Sequence, residues 1–164
     1  MKRLLHERPI IHNLFQRMDW FLELVGFTLL VIYWYLDYQV GQVSTSAPQL
    51  ANRINFEHVA NFMSFPAKIT VVYILLTALG FVPRYFNYLT EITQENARKK
   101  YQNATRTIRL LKIIMVILFL AMTISQMNLA GLTEVSVPFF FFVHIPLALT
   151  IFAIYNIIQD LKSK

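Results

Sequence analysis

The chain has 164 residues, of which 56% are hydrophobic and only 15% charged, and its mean hydropathy is +0.47. Soluble domains carry about 25% charged residues, so the composition points to a membrane as solvent. The complete lack of cysteine excludes disulfides, thiolate metal sites and a cysteine nucleophile.

The first residues are not expected to act as a signal peptide. Lys2 and Arg3 are followed by His6, Glu7, Arg8 and Pro9, which interrupt any apolar core, and no small-residue cleavage site follows. Residues 2–18 set Leu4, Leu5, Ile10, Ile11, Leu14, Phe15 and Met18 among basic groups, and read equally as an interfacial amphipathic segment or a plain tail. A first membrane span is expected at 20–38, on LVGFTLLVIYWYL, with Trp20 at one interface and Tyr33, Trp34, Tyr35 and Tyr38 at the other. An external loop at 39–65 follows; its NFEHVANFMSF part is apolar enough to rest on a membrane surface. A second span is expected at 66–84, where Pro66 suits a first helical turn and Lys68 and Arg84 can snorkel.

Thr93 and Glu95 read as an N-cap and a first-turn acid opening a helix over 93–109, with Glu95 and Lys99 spaced for an ion pair. Neither proline nor glycine interrupts the chain before Met127, so this helix is expected to run into a third span at 109–128. At 1.5 Å per residue the whole would be roughly 50 Å long. A fourth span is expected at 137–158, on VPFFFFVHIPLALTIFAIYNII. Runs of about 20 apolar residues suffice for the roughly 30 Å hydrocarbon layer. The expected fold is therefore all-α, a polytopic four-helix transmembrane bundle forming a single membrane domain.

The net charge of +6 is distributed in a way that sets orientation. Lys and Arg number four in the leading tail (2, 3, 8, 17), seven from Arg84 to Lys112 and two at Lys162 and Lys164, which makes 13 on one side. The other side holds two, Arg53 and Lys68. The positive-inside rule then places both termini in the cytoplasm. The basic balance is a topology signal, and no nucleic-acid partner is expected.

Two constellations fall within the spans. Asp19 and Glu23 lie one turn apart at the start of span one, at the same side as Arg106, Arg109 and Lys112 at the base of span three. Intramembrane ionisable groups are costly and default to function; here the plain expectation is an interhelical ion pair and the sharper one a relay. His144, before Pro146, falls at a depth similar to Tyr33, Tyr73, Thr77 and Thr123. A neutral imidazole hydrogen-bonded to one of those hydroxyls, or to a carbonyl freed by Pro146, is expected there. Metal binding would want further ligands that no His or Glu spacing supplies. Nucleotide-binding glycine loops, HExxH and GxSxG are all missing, so neither an enzyme nor a cofactor is expected.

Residues 87–122, NYLTEITQENARKKYQNATRTIRLLKIIMVILFLAM, resemble the bacterial membrane domain of unknown function 1648, the module at the front of SdpI-type immunity proteins. Members leave a span through a proline and an FNYP-like turn, then an ITEEN-like helix start and a QY. Here the matching residues are Pro83, Phe86, Asn87 and Tyr88, then Ile92, Thr93, Gln94, Glu95 and Asn96, then Tyr101 and Gln102. MDWFLELVGFTLLVIYWY, from Met18, is similar to the family's first span, and the match covers roughly residues 18 to 125. In the loop the family's IPxHFN motif, glycines, aspartate and GSK-like end give way to Ile54-Asn55-Phe56-Glu57-His58 and Pro66-Ala67-Lys68, with only His58 and Lys68 at matching places. The resemblance implies a bacterial inner-membrane protein without an assigned reaction. The expected function is association, as a membrane-complex subunit or an immunity- or sensor-like protein; the alternative is a small transporter or channel component. Expected partners are the lipid bilayer and another membrane protein or a second copy.

Overall fold

The computed structural model describes residues 8–11, 14–46, 64–88, 90–129, 131–138, 140, 141, 143–145, 147, 148, 151, 152, 155 and 158. Among these the fold is all-helical, without a strand. Three long helices form it: α1 (Arg17–Ser46), α2 (Ser64–Gly80) and α3 (Ala97–Leu129), with a 3-10 turn at Pro83–Tyr85. The described residues from 140 to 158 are also helical. Most of the loop expected at 39–65, including Phe56 and His58, and the remainder of the fourth span lie outside the described residues.

α1 and α3 run parallel, because Asp19 meets Arg109 and Glu23 meets Lys112, and further along both helices the Tyr33 and Phe119 rings lie 6.3 Å apart. α2 returns antiparallel beside them, mainly against α3: Trp34 Nε1 donates to Thr70 Oγ1 at 2.9 Å, and the ring of Phe81, just past the helix, lies 5.1 Å from that of Phe15, tilted. The core joining the three contains Leu30, Tyr33, Ile69, Tyr73, Val116 and Leu120. Two of the helices are long and apolar enough to cross a membrane, over Arg17–Gln42 and Ala97–Asn128; the apolar stretch Pro66–Gly80 is shorter.

Several element ends differ from the sequence expectation. α1 continues to Ser46, eight residues beyond the expected end, since no proline interrupts it and Asp37 is buried in the helix face rather than marking its exit. α2 ends at Gly80, not at 84, because Phe81 and Val82 donate back to Ala78 and Leu79 in tightened turns and Pro83 cannot continue an α-helix. Regular helix in α3 begins at Ala97. Before it, Thr93 N–H donates to Asn96 Oδ1 (2.9 Å), Asn96 N–H faces Thr93 Oγ1 (3.4 Å), and the Thr93 carbonyl accepts from Ala97. This is a capping box with asparagine in the usual acid position. Glu95 consequently lies in the capping turn, exposed, and forms no ion pair with Lys99.

Of the stretch 2–18, read as an interfacial amphipathic segment or a plain tail, the described part of residues 8–16 is an irregular strap across the end where α1 and α3 begin. Leu14 packs with Ala97 and Tyr101, flanked by Ile11, Phe15, Tyr88 and Ile92. Arg8 Nη1 donates to the carbonyls of Arg84 (2.9 Å) and Phe86 (2.6 Å), and Gln102 Nε2 to that of Leu14 (3.4 Å). The strap fixes where α1 starts, and thereby which residues meet the base of α3.

Candidate functional site

The candidate site is built from one turn of α1, two turns of α3 and two residues of α2, Tyr73 and Thr77. The Gln16 carbonyl accepts the first backbone bonds of α1, from Asp19 (2.9 Å) and Trp20 (3.3 Å), while Asp19 Oδ2 accepts from the Gln16 N–H (2.7 Å). That local bond orients the Asp19 carboxylate, whose other oxygen, Oδ1, takes Arg109 Nη1 (3.1 Å) and Arg106 Nε (3.4 Å). One turn on, Glu23 Oε1 takes Arg109 Nε at 3.1 Å, and Glu23 Oε2 takes Lys112 Nζ. Arg109 therefore bridges both carboxylates. Gln16 Oε1 adds a contact to Arg106.

The spacing explains the geometry. Asp19 and Glu23 are four residues apart, and Arg106, Arg109 and Lys112 three apart, so each set lies on one helix face. Asp19, Arg109 and Lys112 are buried, at 1%, 2% and 0% exposure. Aromatic rings replace water around the cations: Arg109 lies 4.5 Å over Phe15 and Lys112 4.6 Å over Tyr73. Lys112 also donates to Thr77 Oγ1 at 2.8 Å, which ties α2 into the network, and Thr77 donates to the Tyr73 carbonyl. Gly26 makes room for this approach, since an added Cβ would stand 2.8 Å from the Tyr73 hydroxyl and 3.3 Å from Ile113.

Two carboxylates and three cations give the cluster a formal charge of +1. Its cations are committed to carboxylates, aromatic faces and Thr77, so it holds helices together and presents no nucleophile. Among the described residues no group of three or more His, Asp or Glu is placed to hold a metal.

The structure brings together Asp19, Glu23, Arg106, Arg109, Lys112, Tyr73 and Thr77. His144 is not part of this group. It is exposed on the helical segment after Pro138, its Nδ1 2.7 Å from the Phe140 carbonyl one turn back and its ring edge-on to Phe140. His144 does not join the expected layer with Tyr33, Tyr73, Thr77 and Thr123: it is exposed and bonds within its own segment, while Thr77 and Tyr73 face Lys112, midway along α3. The carbonyl that meets the imidazole belongs to Phe140; a carbonyl freed by Pro146 would be that of Phe142.

The family-motif residues gather where the strap crosses α3. Tyr88 donates to the Pro83 carbonyl (2.9 Å), and its ring lies 5.8 Å from that of Tyr101 and beneath Arg8. Tyr101 is buried and donates to the Pro9 carbonyl at 3.3 Å; burial pushes its hydroxyl up, against the opposing pull of Arg8 and Arg84. Thr93 and Asn96 form the cap, whereas Asn87 and Glu95 are exposed. Sequence reasoning missed Arg8 and Phe15 as partners, and it missed Asp37 altogether. Asp37 carried a signal, being one turn after Tyr33 and followed by nine more residues of α1 without a proline. Neither a protein-family model nor a curated protein nor a solved structure matches the chain.

Proposed function

We propose that the chain is a multi-pass protein of the bacterial inner membrane, with four spans and both termini in the cytoplasm, and that it works by association with another membrane protein or a second copy. One observation carries this reading: the described helices turn continuous apolar faces outward and enclose a charge cluster. α1 turns Phe21, Leu24, Phe27, Val31 and Tyr35 outward, and α2 turns out Val71, Ile74 and Leu75, while Asp19, Arg109 and Lys112 are inside. In water such continuous apolar faces would be a large aggregation-prone patch; in a bilayer they are ordinary lipid-facing surface. The resemblance over residues 18–125 supports the bacterial setting.

Association is favoured over the rival, a transporter or channel component, by where the polar groups lie. Between Lys112 and Thr123 the buried stripe of α3 is Ile113, Val116, Leu120 and Ala121. Eleven residues of helix span roughly 16 Å, and over that interval α3 itself buries no titratable group, whereas a relay would need steps. The charge network is also internally paired, which suits holding α1 and α3 in register.

Reporters test the orientation: one active only in the cytoplasm, fused after Lys164, is expected to work, and one active only outside is expected to work at Gly131. A photo-reactive residue at the exposed position Lys99 should give one discrete adduct in native membranes. An ion flux in reconstituted vesicles that disappears in Glu23→Gln with the helix content kept would refute association.

A further inference from the structure

At the far end of α1 and α3 from the charge network, four oxygen atoms are buried without a hydrogen-bond partner among the described residues. They are Tyr33 Oη and Asp37 Oδ1 on α1 and Thr123 Oγ1 and Gln126 Oε1 on α3. Tyr33, Asp37 and Thr123 are only 1%, 7% and 0% exposed. Tyr33 and Asp37 are one turn apart on one face of α1, and Thr123 and Gln126 one turn apart on α3. The faces are the ones that pack: Tyr33 shares a core with Val116 and Leu120, and its ring meets Phe119, one turn before Thr123. The helices are parallel, so both pairs belong to one layer.

Each orphan buried polar group needs an explanation, and an ion is one of them. Two of these oxygens, on Asp37 and Gln126, accept and cannot donate. A water molecule would satisfy the hydroxyls and leave the carboxylate charge uncompensated, which is the costlier deficit. Asp37 forms no ion pair with any described residue, in contrast with Asp19 and Glu23. An all-oxygen donor set selects a hard cation. Asp37 is the one formal negative charge among the described residues of the layer, which selects a monovalent one.

We infer that Asp37, Tyr33, Thr123 and Gln126 form a binding site for an alkali cation between α1 and α3. The site lies across the apolar interval from the charge network, and its occupancy would join the far halves of the two helices. It is independent of the association reading, since it is tested on the purified chain without a partner.

The test is thermal unfolding of the full-length protein in detergent at pH 8, in NaCl, KCl or choline chloride at equal ionic strength, together with binding of isotope-labelled Na+. Sodium or potassium is expected to raise the midpoint by several degrees over choline, in a saturable manner. Asp37→Asn should unfold at one midpoint in all three salts and bind no labelled ion. Thr123→Val keeps shape and removes one donor; it should raise the half-saturating cation concentration about tenfold, and it remains informative should Asp37→Asn fail to fold. A wild-type midpoint equal in the three salts, or one that moves with pH and not with the cation, would overturn the site, as would a full shift retained in both variants.

Discussion

Neutralising Glu23 should cost the protein more than neutralising the lysine it binds. The cluster of Asp19, Glu23, Arg106, Arg109 and Lys112 holds two negative charges against three positive. Glu23→Gln leaves one against three, with Lys112 at 0% exposure facing only Thr77 and the ring of Tyr73. Lys112→Met leaves two against two, and Arg109 Nε still holds Glu23 at 3.1 Å. Removing one partner of a buried ion pair costs about 3–5 kcal/mol, whereas replacing both by apolar groups of similar volume is often neutral. Glu23 is partly exposed, with 21% of its side chain accessible, so the lower end applies: about 3 kcal/mol for Glu23→Gln. Lys112→Met should cost about half that, since it strands no buried charge. The double variant should lose about 1–2 kcal/mol, giving a coupling energy of about 3 kcal/mol. The assay is denaturant-driven unfolding in mixed micelles, followed by helical circular dichroism, for the wild type and three variants. Additive losses, with a coupling under about 0.5 kcal/mol, or a larger loss in Lys112→Met than in Glu23→Gln, would refute the reasoning.

Gly26→Ala places a methyl group 2.8 Å from the Tyr73 hydroxyl and 3.3 Å from Ile113; overpacking of this kind should cost about 1–3 kcal/mol, and Gly26→Ala with Tyr73→Phe should recover most of it in the same unfolding assay. Ala104→Pro removes the bond to the Lys100 carbonyl inside α3 and should cost about 3 kcal/mol; spin labels at positions 97 and 115, about 27 Å apart in an unbroken helix, should report a shorter or broader distance, and an unchanged one would mean a bend already exists. Arg8→Gln loses the bonds to the Arg84 and Phe86 carbonyls, so hydrogen exchange should rise at 8–16 and 83–88 by about tenfold or more while the core around Val116 stays protected.

What the sequence determined alone is the part of the fold that depends on period and composition. Long apolar runs free of proline set helices, and α3 runs unbroken from Ala97 to Leu129 because it contains neither proline nor glycine. The Asp19–Glu23 and Arg106–Arg109–Lys112 spacings likewise fix that the charges share faces, and the attraction between opposite charges favours those faces meeting. Only tertiary packing decided which oxygen each cation takes, because that depends on the strap of residues 8–16 docking on Tyr88 and Tyr101, some 80 positions away in sequence. The same holds for Asp37. Sequence alone makes it a plausible end of a span, and only the packing of α1 against α3 reveals that the helix continues past it with the carboxylate turned inward. His144 shows the converse: depth counted along the chain placed it among the hydroxyls of Tyr33 and Tyr73, but depth carries no azimuth, and the rotation of a helix about its axis is set by the neighbours it packs against.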